Sequence, residues 1–325
     1  PLARDFPRKG FTLRVTGTIT TAGTGTVYTG SLLNLVKRIR LLVNDGASTR
    51  TVIDADGLSI IQRHINNGGS VTAATGTTYS QTLAAATFTF TIPFFYAPVN
   101  LSNPARDLFT CNFPAFNNDP SLEIQLATAA ELSSGGDVAI AAGVTVELLE
   151  IKSVVTLPNW NFVKTSFETY QQGYPTTQTN ARYQIPIPGY HFSIGIRPYT
   201  AAGVVGDISS ANGQLKVQTL NIVERSGRYQ SFADLNDLST SGDVELSIAG
   251  GGKCVFLDYL TDQSGSQVGN LDTVLNTNSF VSLGSQPEIL WDVTGGSNVS
   301  AIYMHDRCFG DITAALLMLR MLPKK

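Results

Sequence analysis

The sequence has little charge. Only 14% of its 325 residues are charged and the formal net charge is −3, whereas about a quarter is usual in soluble proteins. Proteins that bind nucleic acid are usually basic, so we expect no direct sequence-specific contact with nucleic acid. The surface must instead be rich in Thr, Ser, Asn, Gln and Gly. Such a neutral polar surface suits a protein packed against copies of itself.

Cysteines and long apolar runs are also scarce. Cys111, Cys254 and Cys308 form no CxxC pair and no cluster with zinc-ligand spacing. We therefore expect buried thiols. No run of 18 or more apolar residues occurs, so we expect no transmembrane helix.

Catalytic and cofactor motifs are missing. His64, His191 and His305 stand in no HExxH motif, and there is no GxSxG elbow. "GGGKC" (250–254) fails the phosphate-loop pattern, and "DADG" (54–57) lacks the remaining calcium ligands. We expect no enzyme activity, no cofactor and no metal, with structural roles for the three histidines.

Alternating apolar and polar residues are abundant. In "FTLRVTG", Phe11, Leu13 and Val15 fall on one face, and "TFTFTIPFFY" (87–96) alternates Phe with Thr in the same way. This period of two predicts sheets with one buried face and one wet face. Many short strands with Thr, Gly and Asn turns are typical of β-sandwiches.

Helical patterns are few. In "DADGLSIIQRHINN" (54–67) an Asp is available as N-cap, and Leu58, Ile61 and Ile65 follow at helical spacing. The C-terminal "DITAALLMLRMLPKK" (311–325) is the other candidate helix. The predicted fold class is therefore all-β, with a few short helices.

The pattern of the first half recurs in the second half in the same order. "HFSIGIRPY" (191–199) matches the strand at Phe11 at an offset of about 181 residues. Four further matches keep the order: 218–226 with 38–46, the helical pattern 231–239 with the helix after Asp54, 253–259 with the 87–96 strand, and 287–293 with 120–126. We infer two tandem copies of one sandwich.

The repeat divides the chain into four predicted segments. These are an N-terminal arm (1–10), a first jelly roll (11–157), a second jelly roll (158–311) and a C-terminal apolar and basic helix or tail (312–325). The boundary lies in "LPNWNF" (157–162), where Pro158 and Asn159 interrupt the strand pattern.

Both chain ends carry basic residues. "PLARDFPRKG" predicts an extended arm that is either a solvated tail or a contact with an anionic surface or a neighbouring subunit through its basic side chains: Arg4, Arg8 and Lys9. The C-terminal segment, apolar with a basic end, has three such residues: Arg320, Lys324 and Lys325. It would pack on its own domain or a neighbour, or lie on a membrane surface.

The paired strand patterns "FTLRVTG"/"FSIGIRP" and "RIRLLVNDG"/"QTLNIVERS", with "TFTFTIPFFYAP", carry a family resemblance. The chain resembles the double jelly-roll major capsid proteins of tailless icosahedral bacteriophages with an internal membrane. It is most similar to those of the flavobacterial lipid-containing phage, the finnlakevirus kind.

The resemblance implies two tandem eight-stranded jelly rolls and a homotrimer that forms a pseudo-hexameric capsomer. Its partners would be neighbouring capsomers, penton and other minor capsid proteins, and the viral membrane beneath. The protein would be made in the host cytoplasm and reside in the virion shell.

Two other functions stay open on the residues alone. One is a secreted carbohydrate-binding double β-sandwich, against which stand only two tryptophans, Trp160 and Trp291. The other is a β-sandwich glycan lyase or hydrolase, which needs paired carboxylates across a cleft that no spacing singles out.

Overall fold

The structure is a computed structural model, and β-strands make up most of the residues that it describes. It describes residues 1–21, 32–44, 48–67, 69, 85–97, 109–132, 139–140, 143–154, 165–175, 178–186, 189–199, 216–218, 245–247, 253–258, 281–283, 288–293 and 299–308. Below, the first half means the described residues up to 154 and the second half those from 165.

The first half contains seven strands: β1 (Arg8–Thr21), β2 (Val36–Asn44), β3 (Thr49–Ala55), β4 (Ala86–Phe95), β5 (Ser121–Leu126), β6 (Ala139–Ile140) and β7 (Thr145–Lys152). It also contains four helical pieces: α1 (Gly57–Asn66), α2 (Ala129–Leu132) and two 3-10 turns (Leu33–Leu35 and Phe113–Ala115). The second half contains nine strands: β8 (Thr165–Tyr174), β9 (Gln178–Gln184), β10 (Gly189–Tyr199), β11 (Lys216–Gln218), β12 (Glu245–Ser247), β13 (Lys253–Asp258), β14 (Val281–Leu283), β15 (Glu288–Val293) and β16 (Val299–Cys308).

The first half is a sandwich whose inner faces are those predicted from the alternation. β1 pairs with β4 on one side and with β6 and β7 on the other, while β2 lies between β3 and β5. Leu13 and Val15 of β1 are fully buried, as are Phe90 and Ile92 of β4. The residues that alternate with them, mostly threonines, form the outer face. One face of the sheet is therefore buried and the other faces solvent.

Helix α1 begins where the sequence predicts. The Asp56 carboxylate accepts hydrogen bonds from the backbone N–H of Ser59 (2.8 Å) and from its hydroxyl group (2.7 Å). This N-cap satisfies donors that the first turn leaves unpaired. Leu58 and Ile61 then point into the core of the first half.

The two halves share one sheet. β3 pairs with β8 in parallel, with Ile53 opposite Phe167 and Asp54 opposite Glu168. The sheet consequently runs from β5, β2 and β3 into β8, β16, β10, β13 and β12, with β14 beside part of β10. A smaller sheet of β11, β15 and β9 belongs to the second half.

The strand pairing repeats between the halves. In the first, β1 lies between β4 and β7, and Leu13 stands opposite Ile92. In the second, β10 lies between β13 and β16, and Ile194 stands opposite Leu257. Leu13 and Ile194 are about 181 residues apart, and Ile92 and Leu257 are about 165 residues apart. The sequence pattern indicates the same two offsets.

Other sequence predictions lie outside the described residues. The predicted boundary (157–162), the second-half helix (231–239) and the C-terminal helix (312–325) fall there. Of the three cysteines, Cys111 is buried, and the structure does not describe the side chains of Cys254 and Cys308. No helix in the described part of the chain is long and apolar enough to cross a membrane.

Candidate functional site

Helix α1 lies between the two halves. Nine of its ten residues are buried, and only Ile65 is partly exposed. A helix buried on all sides must pack against more than one layer. Its apolar side chains enter the core of the first half, and its polar Gln62 and Arg63 meet the second half.

The second half meets α1 with one face of the sheet formed by β8, β10 and β16. Along β16, Tyr303 and His305 point into the second half, because both contact Tyr183 of β9. Met304 and Asp306 point the opposite way, where Met304 joins the core of the first half and Asp306 meets α1. The alternation of a strand therefore divides β16 between two cores.

A buried ion pair crosses this interface. Arg63 of α1 donates from Nε and Nη2 to the two carboxylate oxygens of Asp306, at 2.7 and 3.0 Å. Both side chains are at most 3% exposed. The guanidinium carbon also lies 4.8 Å from the ring centroid of Phe94 and 5.3 Å from that of Phe167. Arg63 is thus held by a two-pronged charged pair and by aromatic rings from both halves.

A second pair crosses in the other direction. Arg197 of β10 donates to the carboxylate of Asp56 at 2.9 Å and to the side-chain oxygen of Gln62 at 2.7 Å. The Arg197 side chain is fully buried. Asp56 therefore caps α1 and anchors the second half at the same time. Each half contributes one arginine and one aspartate to what we call the joint.

The joint acts as a geometric constraint. Isolated charges in a protein interior are costly, and a fork-shaped guanidinium is satisfied only by a carboxylate at a defined distance and angle. Rotating one half against the other would break both ion pairs, in which Arg63, Arg197 and Asp306 are buried. The arrangement holds the two halves in one relative orientation, which is a mechanical role and requires no reacting group.

A histidine pair lies inside the second half. His305 shares one hydrogen bond with the Tyr183 hydroxyl (2.7 Å) and another with His191 (3.3 Å), and both histidines are buried. Burial lowers the pKa of His305 well below its usual range, helped by the neighbouring His191 and Arg307. Burial likewise raises the pKa of Tyr183. These contacts fit the structural roles expected for His191 and His305.

The N-terminal arm is docked on the first half. Arg4 pairs with Asp119 at 2.9 Å and also donates to the backbone carbonyls of Phe116 and Asn117. Lys9 lies half-buried on β1, and its carbonyl oxygen accepts a hydrogen bond from the Tyr96 N–H.

Arg8, one of the predicted outward-facing residues, is buried. It donates to the carboxylates of Asp5 (2.6 Å) and Glu150 (3.1 Å) and to backbone carbonyls of the arm, while its guanidinium carbon lies 5.2 Å from the Phe113 ring centroid. Hydrogen bonds from Lys152 and Arg8 lower the pKa of Asp5. Within the subunit Arg8 is a tether for the arm. Arg320, Lys324 and Lys325 lie outside the described residues.

Sequence reasoning missed the joint. The sequence offers an Asp of "DADG" (54–57) as a helix cap without choosing between Asp54 and Asp56, and it does not single out Arg63, Arg197 or Asp306. One usable signal was present: the few charged residues of this chain include some inside strongly apolar strands, as in "IYMHDRC" (302–308). Among the described residues, no group of three or more His, Cys, Asp or Glu could hold a metal ion.

Comparisons with known proteins give a consistent picture of the fold. No protein-family model matches the chain, and no curated protein matches its sequence. Among solved structures, the atomic structure of Sulfolobus Turreted Icosahedral Virus matches with a TM-score of 0.60 and 12% identity, covering 98% of this chain and 90% of that one. The crystal structure of the MCP of that virus gives 0.58 and 13%, covering 94% and 90%.

The major capsid protein P2 from bacteriophage PM2 also matches, with a TM-score of 0.51 and 15% identity, covering 95% of this chain and 90% of that one. Identities this low show the fold alone. The chain has the all-β fold of two tandem jelly-roll sandwiches with a few short helices.

Proposed function

We propose that this chain is the major capsid protein of a virus and that it works by self-assembly. The observation that carries the proposal is the joint: two reciprocal ion pairs, in which both arginines are buried, connect the two sandwiches of one chain. The likeness to capsid proteins extends over at least nine-tenths of each chain, which supports the same use of the fold.

The duplication gives such a subunit a geometric purpose. Three copies around a threefold axis present six sandwiches, so a trimer has a six-sided outline and can pack in a hexagonal array. A rigid joint suits this role, since the outline is regular only if both sandwiches keep the same orientation in every copy. We propose a homotrimeric capsomer in an icosahedral shell, with neighbouring capsomers, penton and minor capsid proteins as further partners.

We also propose the kind of virus, and the sequence resemblance alone supports this part of the proposal. It would be a tailless bacteriophage of the finnlakevirus kind, with a membrane beneath the shell and the basic C-terminal residues on the membrane-facing side. The protein would be made in the host cytoplasm and would have no catalytic role. Because Arg8 is buried, a membrane contact of the arm would involve its other residues, among them Arg4, whose side chain is 38% exposed.

The native mass of the purified protein tests the proposal. Size-exclusion chromatography with light scattering should give about 104 kDa, three times the 34.7 kDa chain, or much larger particles. A protein that stays at 34.7 kDa at every concentration tested would contradict it.

A further inference from the structure

Two histidine side chains contact each other inside the second half. His191 lies on β10 and His305 on β16, and their exposed fractions are 0% and 1%. Nε2 of His191 and Nδ1 of His305 are 3.3 Å apart, and the two ring centroids are 5.4 Å apart. Nε2 of His305 also lies 2.7 Å from the hydroxyl oxygen of Tyr183 on β9. We call His191 and His305 the histidine pair.

The carboxylates near the histidine pair already have positive partners. Glu168 of β8 stands opposite His305 of β16 and pairs with Arg307 at 3.3 Å. Asp54 of β3 stands opposite Glu168 and pairs with Arg38 at 2.6 Å. The other described titratable side chains that face the pair are tyrosines: Tyr170, Tyr174, Tyr183 and Tyr303. Each of the two carboxylates is therefore balanced by an arginine and not by a histidine.

A proton taken up by the histidine pair would add a charge that this interior does not balance. A neutral imidazole has one donor and one acceptor nitrogen, so His305 can serve Tyr183 and His191 at once. An imidazolium is positive, and Arg307, two residues further along β16, places another positive charge on the same side of the strand. Burial lowers the pKa of His305 well below its usual range, and His191 and Arg307 add to the effect. The packed second half therefore favours the neutral pair, whereas a protonated pair favours an open arrangement that water can reach.

Strand β16 connects the histidine pair to the joint. His305 and Asp306 are consecutive residues that point to opposite faces of the strand, towards Tyr183 and towards α1 respectively. Asp306 accepts hydrogen bonds from Arg63 at 2.7 and 3.0 Å and from the side-chain amide of Asn67 at 3.4 Å. A displacement of β16 that brings His305 to water must also move Asp306, because a planar peptide unit joins the two residues. Such a displacement would break a two-pronged pair that requires a defined distance and angle.

We propose that the histidine pair is an acid-sensitive switch for the joint. At neutral pH both imidazoles are neutral, β16 stays packed between β8 and β10, and Asp306 holds Arg63 of α1. In mild acid a proton binds to the pair, β16 opens locally, and the contact between α1 and the second half is lost. Strands β1 and β4 of the first half take no part in this change and stay folded. The switch acts within one chain and does not depend on self-assembly.

Hydrogen–deuterium exchange of the purified full chain between about pH 7 and about pH 5, followed by mass spectrometry, tests the proposal. Protection factors are corrected for the intrinsic pH dependence of exchange. One proton bound in the open state shifts the opening equilibrium by up to about tenfold per pH unit below an unfolded-state pKa of about 6.5. We therefore expect the protection of β16 and α1 to fall together by about 10- to 30-fold, while β1 and β4 keep theirs. Carboxylates ordinarily titrate below this range.

Two variants and a matched control assign the effect to the histidine pair. His191→Gln/His305→Gln replaces both rings by neutral amides that still donate and accept hydrogen bonds, and its protection should change by less than about threefold. His305→Gln alone serves if the double variant does not fold, and its loss of protection should be at least about threefold smaller than that of the unmodified chain. The control is His64→Gln, which removes the histidine whose ring lies 5.7 Å from that of Phe95. It should respond to pH like the unmodified chain.

The unmodified chain alone can overturn the proposal. Unchanged protection of β16 over this pH range would do so, and so would a loss in β16 that leaves α1 protected, because protonation would then not reach the joint. An equal loss in β1 and β4 would mean global unfolding and would also contradict a local switch. A full response in the folded His305→Gln variant would place the titrating group elsewhere. A response confined to β16 and α1, lost in the variants and kept in His64→Gln, would support the proposal.

Discussion

The buried ion pair between Arg63 and Asp306 offers the sharpest perturbation of the joint. Changing Asp306 to Asn keeps the shape of the side chain but removes its charge. The guanidinium of Arg63 would then remain buried, with only carbonyl oxygens, an amide and two aromatic rings around it. We expect a folded but clearly less stable protein.

The structure supports an estimate of the size of this effect. Removing one member of a buried pair costs about 3–5 kcal/mol, whereas exposed pairs contribute about 1 kcal/mol or less. At about 2.1 cal/mol/K per residue, 325 residues give an unfolding entropy of about 0.7 kcal/mol/K. The Tm should therefore fall by about 4–7 °C.

Differential scanning calorimetry of Arg63→Met, Asp306→Leu and the double variant Arg63→Met/Asp306→Leu measures the coupling, and Asp306→Asn is measured beside them. The double variant should recover much of the loss, because similar apolar side chains can replace a buried pair at little cost. If the role of these charges in the natural protein is to fix the orientation of the two halves, the double variant should nevertheless assemble poorly. The matched control is Arg14→Met, which breaks an exposed pair with Glu147.

Two outcomes would refute this reasoning. One is a Tm for Asp306→Asn within about 1 °C of the unmodified protein, comparable to the exposed-pair control. The other is a double variant that is as stable as the unmodified chain and assembles equally well, which would mean that orientation does not depend on the joint.

Three further predictions concern other parts of the fold. Gly10→Ala should lower the unfolding free energy by about 1–3 kcal/mol in urea titrations, because its Cβ would collide with the backbone of β4, while Gly173→Ala, with open space around it, should not. Because the pKa of His305 is lowered in the folded protein, its contribution to the free energy of unfolding is fully present above the unfolded-state pKa of about 6.5. As the pH falls below that value, the free energy of unfolding decreases by up to about 1.4 kcal/mol per pH unit. The free energy of unfolding from urea titrations should therefore differ less between pH 7 and pH 5.5 for His305→Gln than for the unmodified protein. Arg8→Met should release the arm and speed its cleavage by trypsin at Arg4; an unchanged cleavage rate would argue against the tether.

Local periodicity predicted much of the fold. The alternation around Leu13 and Phe90 identified the buried faces of β1 and β4, because a strand can face its core in only one of two ways. The Asp56 cap and the apolar spacing after it placed α1, since both signals act within a few residues.

The joint could not be predicted in this way. Arg63 and Asp306 are 243 positions apart, and no local pattern says which distant strand a helix will meet. In a lone sandwich, Arg63 would belong to the wet side of α1. It is buried here between Phe94 of the first half and Phe167 and Asp306 of the second half, so its burial needs both halves.

The basic arm shows a different limit of sequence reasoning. Arg4 and Arg8 look like residues for an external partner because the sequence near them offers only Asp5 as a counter-charge, while Asp119 and Glu150 are far away in the chain. A run of charges says nothing about where its counter-charges lie. The fold supplies them, and the arm becomes part of the subunit.

The most direct test of the central claim, that this chain is a self-assembling shell subunit, is electron microscopy of the purified native protein. The account predicts closed shells or threefold capsomers in which six sandwich profiles form a hexagonal outline. Dispersed single subunits with two profiles each, at concentrations where other shell proteins assemble, would contradict it.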